Sequence, residues 1–173
     1  MADRADDRAV LIETPRLLLR PWRVDEAAVQ REMWLERDPR VPAHRRIDAD
    51  GRPALDAFEA GIRASDPSTV GLLAVERKTV SDVIGYCGLV GGSGVREPEL
   101  AFELLRRSWG QGHATEAAWA VLDWARAAGH ERLWASVWEW NVASRRVLAK
   151  LGFTESDREE TPHGVNVMTT KGL

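Results

Sequence analysis

Arg107-Ser108-Trp109-Gly110-Gln111-Gly112-His113-Ala114-Thr115-Glu116-Ala117-Ala118-Trp119-Ala120 joins two different periodicities. Before it, Glu99 to Leu105 alternates with the period of a strand. From Ala114 onward, Ala114, Ala117, Ala118, Val121, Leu122 and Ala125 recur at helical spacing, and Gly129 follows as a stop. The local order is strand, glycine loop, helix. It sets the first, unpaired amides of a helix beside Gly110 and Gly112, which lack side chains, so an anion such as a pyrophosphate can come close to the main chain. The bland alternative is a helix entry whose glycines only make a turn.

The residues around this loop decide between the two. Trp109-Gly110-Gln111-Gly112-His113-Ala114 resembles the acyl-CoA pyrophosphate loop, Q/R-x-x-G-x-G/A, of the GNAT superfamily of N-acetyltransferases. The first position departs from that pattern and carries Trp109, a form similar to the RimJ/RimL-like branch with its Trp-Gly-x-Gly-x-Ala-Thr-Glu-Ala. Two further segments resemble the same branch. They are Glu13-Thr14-Pro15-Arg16-Leu17-Leu18-Leu19-Arg20-Pro21 near the N-terminus, and Asn141-Val142-Ala143-Ser144 followed by Leu148-Ala149-Lys150-Leu151-Gly152-Phe153 near the other end. Three matches in order span most of the chain.

Composition sets the outer bounds. A chain of 173 residues suits one domain, 1–173, with 1–10 expected as a flexible N-terminal segment, and can bury roughly two thirds of its unfolded surface. Apolar residues at 44% and charged residues at 29% suit a globular protein, and a net charge of −3 gives no basic footprint for nucleic acid. The one cysteine, Cys87, excludes an internal disulfide and reads as a small buried hydrophobe, while His44, His113, His130 and His163 are too scattered for a zinc site. No metal is expected. No signal-peptide pattern and no run of roughly 20 apolar residues is present, so a cytoplasmic protein with no membrane contact is the expectation.

In chain order, strands are expected at Arg16–Arg20, Val70–Glu76, Val83–Val90, Glu99–Leu105, Arg132–Glu139 and Val165–Thr170. Helices are expected from an Asp25 N-cap to Arg37, over Asp50–Ser65, from Ala114, and from an Asn141 cap to Lys150. The second and third strands make an antiparallel hairpin, and Gly91-Gly92-Ser93-Gly94 is a turn into the fourth strand. The fourth strand, central helix and fifth strand form a β-α-β unit with parallel outer strands. The fold class is α/β (α+β). The resemblance makes it a GNAT-like mixed, mostly antiparallel sheet whose parallel fourth and fifth strands splay around the pantetheine of acetyl-CoA.

The same resemblance supplies a chemistry: an amine attacks the thioester of acetyl-CoA directly, with no cysteine or serine nucleophile. Cofactor binding falls to Arg107, Trp109, Gly110, Gln111, Gly112, His113, Ala114 and Thr115, with Arg106, Arg107 or His113 as side-chain phosphate contacts and Asn141 on pantetheine. Glu99 is the candidate base, Glu103 its alternative on the same strand face, and water a possible relay. Ser144 is the candidate acid, because Leu148 stands where many relatives carry a tyrosine and the only tyrosine, Tyr86, lies in another strand. The first helical pair, with Trp22, Trp34, His44 and Arg45, would wall the acceptor, and Trp138 and Trp140 hint at an aromatic wall beside it. The acceptor implied is a small-molecule or peptide N-terminal amine, and a homodimer stays open. Two other readings are carried: a non-catalytic acyl-CoA sensor, and a dinucleotide-binding oxidoreductase module, against which Thr115 occupies the third glycine position.

Overall fold

The computed structural model describes residues 9–68, 70–91 and 95–173. Residues 1–8 of the expected N-terminal segment, and 92–94 of the expected glycine turn, lie outside the described residues. Eight strands form one sheet in the order β1-β2-β3-β4-β5-β6-β8-β7. In sequence they are β1 (Ile12–Glu13), β2 (Leu17–Arg20), β3 (Leu72–Arg77), β4 (Asp82–Val90), β5 (Glu99–Leu104), β6 (Arg132–Trp138), β7 (Thr154–Thr161) and β8 (Gly164–Gly172). The helices are α1 (Ala27–Glu36), α2 (Leu55–Ala64), α3 (His113–Ala127) and α4 (Val142–Lys150).

The near-continuous apolar run of β4 explains its central place. Val83, Ile84, Cys87 and Leu89 are all buried, as expected of a strand covered on both faces. The apolar stripe of α3, with Ala117, Ala118, Val121, Leu122 and Ala125 buried, packs on one face of the sheet in the main core. A smaller cluster of Ala27, Phe58 and Ile62 joins α1 to α2, with Trp22 and Trp34 at its edge. Cys87 is fully buried, and burial pushes its thiol pKa well up. Among the described residues no helix is long and apolar enough to cross a membrane.

The mixed sheet and its parallel pair match expectation; the differences have physical causes. β7 escaped sequence reading because Thr154–Thr161 carries no apolar alternation. It is an exposed edge strand, charged in the way that discourages further pairing. β1 is only two residues long. The first helix is not capped by Asp25. The Glu26 carboxylate accepts the Arg23 N–H at 2.8 Å and is drawn to that place by Arg20, a buried side chain that pairs with both Glu26 and Glu76. The second helix starts at Leu55, because Asp48 Oδ1 accepts the amides of Asp50 and Arg52 and closes a turn there instead.

One polar network joins the N-terminal hairpin to the start of α3. Glu116 Oε1 accepts the Thr14 hydroxyl at 2.6 Å and the Arg16 N–H at 3.0 Å, while Oε2 accepts Arg16 Nε at 2.6 Å. Burial raises the Glu116 pKa, but the Thr14 and Arg16 donors outweigh it and hold the carboxyl below its usual range. A depressed folded-state pKa contributes stability that is present above the ordinary value of 4.5 and is lost as pH falls through the folded value. Glu116→Gln is therefore expected to cost about 1–2 kcal/mol at pH 7. In paired denaturant titrations the gap between variant and wild type should close as the pH is taken below 4.5.

Candidate active site

β5 and β6 run parallel but share a single register pair, Glu99 with Trp134. Beside that rung, Pro98 O accepts the Trp134 N–H at 3.3 Å, and Glu97 O accepts Trp134 Nε1 at 3.0 Å. Beyond it the strands separate, so the side of β5 turned towards β6 has no strand partner from Ala101 onward. Unpaired main-chain donors and acceptors in a cleft are a ready-made site for an extended polar ligand.

The loop closing β5 leads to the second feature. Gly110 and Gly112 have φ of +73° and +79°, left-handed values that favour glycine, and a Cβ on Gly110 would meet nothing within 4 Å. Gly112 occupies the N-cap position of α3, with no side-chain cap. Among the described residues no backbone acceptor takes the amides of Gly110 to Thr115; the first amide bonded back is that of Glu116, to Gly112 O at 3.0 Å. This row of free N–H groups at the positive end of a 15-residue helix fits a phosphate group.

The side chains around the loop are distributed less evenly than the sequence suggested. Trp109 donates its indole N–H to Leu104 O at 2.6 Å and fastens the loop to the end of β5. Gln111 donates its side-chain amide to Arg107 O at 3.4 Å. Arg107 pairs with Glu32 of α1 at 2.6 Å, and Arg106 donates to the Glu36 carbonyl at 2.5 Å, so both expected phosphate cations are engaged with α1. The His113 ring is 5% exposed and its Nδ1 has no partner. Burial first, then the nearby Arg16 charge, lowers its pKa, so the ring is neutral and only its amide belongs to the free row. Ala114 packs partly against the core, and Thr115 is half-buried in the first turn. Sequence reading gave Arg16 no role, yet its Nη1 donates to Gln111 O at 2.9 Å.

Glu99 sits at the closed end of the cleft. Its Oε1 accepts the Ser136 hydroxyl at 2.7 Å and the Ser136 N–H at 3.3 Å; Oε2 has no partner among the described residues. Glu103 is differently placed. Arg37, the residue that ends α1, grips it through Nε at 2.8 Å and Nη2 at 2.5 Å, and Tyr86 donates to it at 3.1 Å, so this carboxylate braces the end of α1 against the sheet. Burial pushes the Tyr86 phenol pKa well up. At the start of α4 the Asn141 Oδ1 accepts the Ser144 N–H at 3.2 Å, the expected cap, which leaves the Asn141 amide nitrogen and the Ser144 hydroxyl without partners among the described residues. Leu148 is buried.

The chain carries two further aromatic-rich features. A cavity of about 400 Å³ is lined by Trp22, Trp34, Arg37, Arg45, Ile62 and Tyr86, with His44 outside it. At the end of β6, Trp138 and Trp140 stack with ring centroids 6.1 Å apart, and Arg40 lies 4.2 Å over the Trp140 ring. Trp138 and Trp140 therefore form one half-buried wall shared by three chain segments, since His163 completes it edge-on to Trp138. Among the described residues no group of acidic, histidine or cysteine side chains is arranged to hold a metal.

Comparison with known proteins agrees with this geometry. The family model described as an acetyltransferase (GNAT) domain matches residues 16–154. The uncharacterized N-acetyltransferase p20 of Bacillus licheniformis is 28% identical over 145 residues, covering 81% of this chain and 80% of that protein. The uncharacterized N-acetyltransferase YoaA of Bacillus subtilis is 29% identical over 102 residues, and the chain spans 58% of its length. Mycobacterium smegmatis RimJ, solved with CoA-disulfide, superimposes with a TM-score of 0.71 at 21% identity, covering 90% of this chain and 81% of that one. With a parallel pair open beyond one rung, a glycine loop of free amides feeding α3, and a family match over most of its length, the chain belongs to the GNAT acetyltransferase family.

Proposed function

We propose that the chain transfers an acetyl group from acetyl-CoA to a primary amine, with a peptide N-terminal amine as the favoured acceptor class. One observation carries the reading: the amides of Gly110 to Thr115 are free and open directly beside the unpaired edge of β5. A diphosphate suits the first and an extended pantetheine amide chain suits the second, and relatedness to a fold solved with a CoA derivative supports the pairing. Gly110 and Gly112 leave the approach unobstructed.

Glu99 would take a proton from the attacking amine through its free Oε2, directly or by way of water, while Ser136 holds the other oxygen in place. An α-amine, with a reference pKa of about 7.7–8.0, asks less of that base than a lysine near 10.4. The new N–C bond forms as the C–S bond breaks. The Ser144 hydroxyl then donates a hydrogen bond to the departing thiolate, at the positive end of α4, and relays a proton to it from solvent. Asn141, through its free amide nitrogen, would hold a pantetheine carbonyl. The cavity behind Glu103 and the Trp138–Trp140 wall would receive the body of the acceptor.

Three measurements test the reading. A panel of peptide and small-molecule amines with acetyl-CoA, read by thiol release, should give turnover with at least one α-amine. Tight acetyl-CoA binding with no turnover across the panel would instead support a non-catalytic sensor. Ser144→Ala is expected to lower kcat by about 10²-fold with little change in KM for acetyl-CoA. Gly112→Glu, which puts a bulky anion into the row of free amides, is expected to abolish the thermal shift produced by acetyl-CoA while the variant still unfolds cooperatively.

A further inference from the structure

We infer that Arg16, in the turn between β1 and β2, is a phosphate-binding residue of the acyl-carrier site, held over the loop by Glu116. The inference rests on the acetyl-CoA reading proposed above and adds to it a residue some 95 positions upstream of the loop. Geometry carries it. The Arg16 guanidinium places Nη1 2.9 Å from Gln111 O, and Nη2 lies 3.5 Å from the point a Cβ on Gly112 would occupy. Both nitrogens thus lie against the middle of the free amide row.

Donor accounting shows what is left for a ligand. Arginine carries five N–H groups. Nε and one N–H of Nη2 go to Glu116 Oε2, each at 2.6 Å, and one N–H of Nη1 goes to Gln111 O. One N–H on Nη1 and one on Nη2 remain, on a side chain that is 48% exposed. Two such donors on adjacent nitrogens match the fork with which arginine recognises phosphate. The competing cations are engaged elsewhere: Arg106 on the Glu36 carbonyl, Arg107 on Glu32, and His113 neutral in the core.

Glu116 gives the arrangement its rigidity. It accepts from the Arg16 side chain, from the Arg16 amide and from the Thr14 hydroxyl, and Thr14 Oγ1 in turn accepts the Leu17 N–H at 2.9 Å. Main chain and side chain of residue 16 are both gripped, so little rotamer freedom remains to be lost when a phosphate docks. Glu116 itself stands in the first turn of α3. The element that offers the amides therefore also positions the cation.

Isothermal titration of the full chain with CoA and with dephospho-CoA, alongside turnover of S-acetylpantetheine, tests this. Arg16→Ala should weaken CoA and dephospho-CoA alike by about 10- to 100-fold, since both keep the pyrophosphate. It should leave kcat/KM for S-acetylpantetheine, which has no phosphate, within about twofold. Arg16→Lys, which keeps the charge and the stem without the fork, serves where the alanine variant does not fold and should weaken CoA about tenfold. Unchanged CoA affinity, or an equal loss with S-acetylpantetheine, overturns the assignment. A wild-type chain that binds neither CoA nor dephospho-CoA overturns the acetyl-CoA reading itself, and this assignment with it.

Discussion

The molecule depends on a pairing that stops after one rung. β5 is fully occupied on one side by β4, through Gly85 to Val90, and β6 is fully occupied on one side by β8, through Arg132 to Trp138. Each belongs to a well-paired half-sheet, and among the described residues the halves share one register pair, Glu99 with Trp134. Main-chain groups without a strand partner stay available to a ligand in a cleft lined by protein. The candidate site residues collect around that opening: the loop after β5, the start of α4 after β6, and the carboxylate of Glu99 beside the one shared rung.

Holding the cleft open requires bracing from both sides. On the helix α1 side, Arg37 and Tyr86 fix Glu103, and Arg106 and Arg107 reach α1 through Glu36 and Glu32. On the other face, α3 seals the core with small residues, and Glu116 ties its first turn to the N-terminal hairpin. Charged residues that a sequence reader assigns to a ligand are thus partly spent on architecture. Glu103 shows this clearly: it shares a strand face with Glu99, but one carboxylate is clamped by an ion pair and the other keeps an open oxygen.

Periodicity revealed most of the fold. The burial of Leu133, Ala135 and Val137 against the opposite face of β6, the run of small residues in α3, and the Asn141 cap all follow from local rules. What escaped was non-local. β7 has no apolar signal to read, because an edge strand in water needs none. Ser136 was silent until β6 came beside Glu99, and Arg16 carried no visible role until the hairpin folded over Gln111. The His113 ring was assigned to the ligand by its neighbours in sequence, whereas the direction of its side chain was set by the packing of α3.

The central claim is that the backbone of the loop and of the open strand edge, more than any one side chain, receives the acyl carrier. Amide chemical shifts recorded while acetyl-CoA is titrated into the ¹⁵N-labelled chain test it most directly. The account predicts that the largest changes fall on Gly110 to Thr115 and on Ala101 to Leu104, together and with one affinity. Changes confined to other parts of the sheet, with both of those stretches unmoved at saturation, would contradict it.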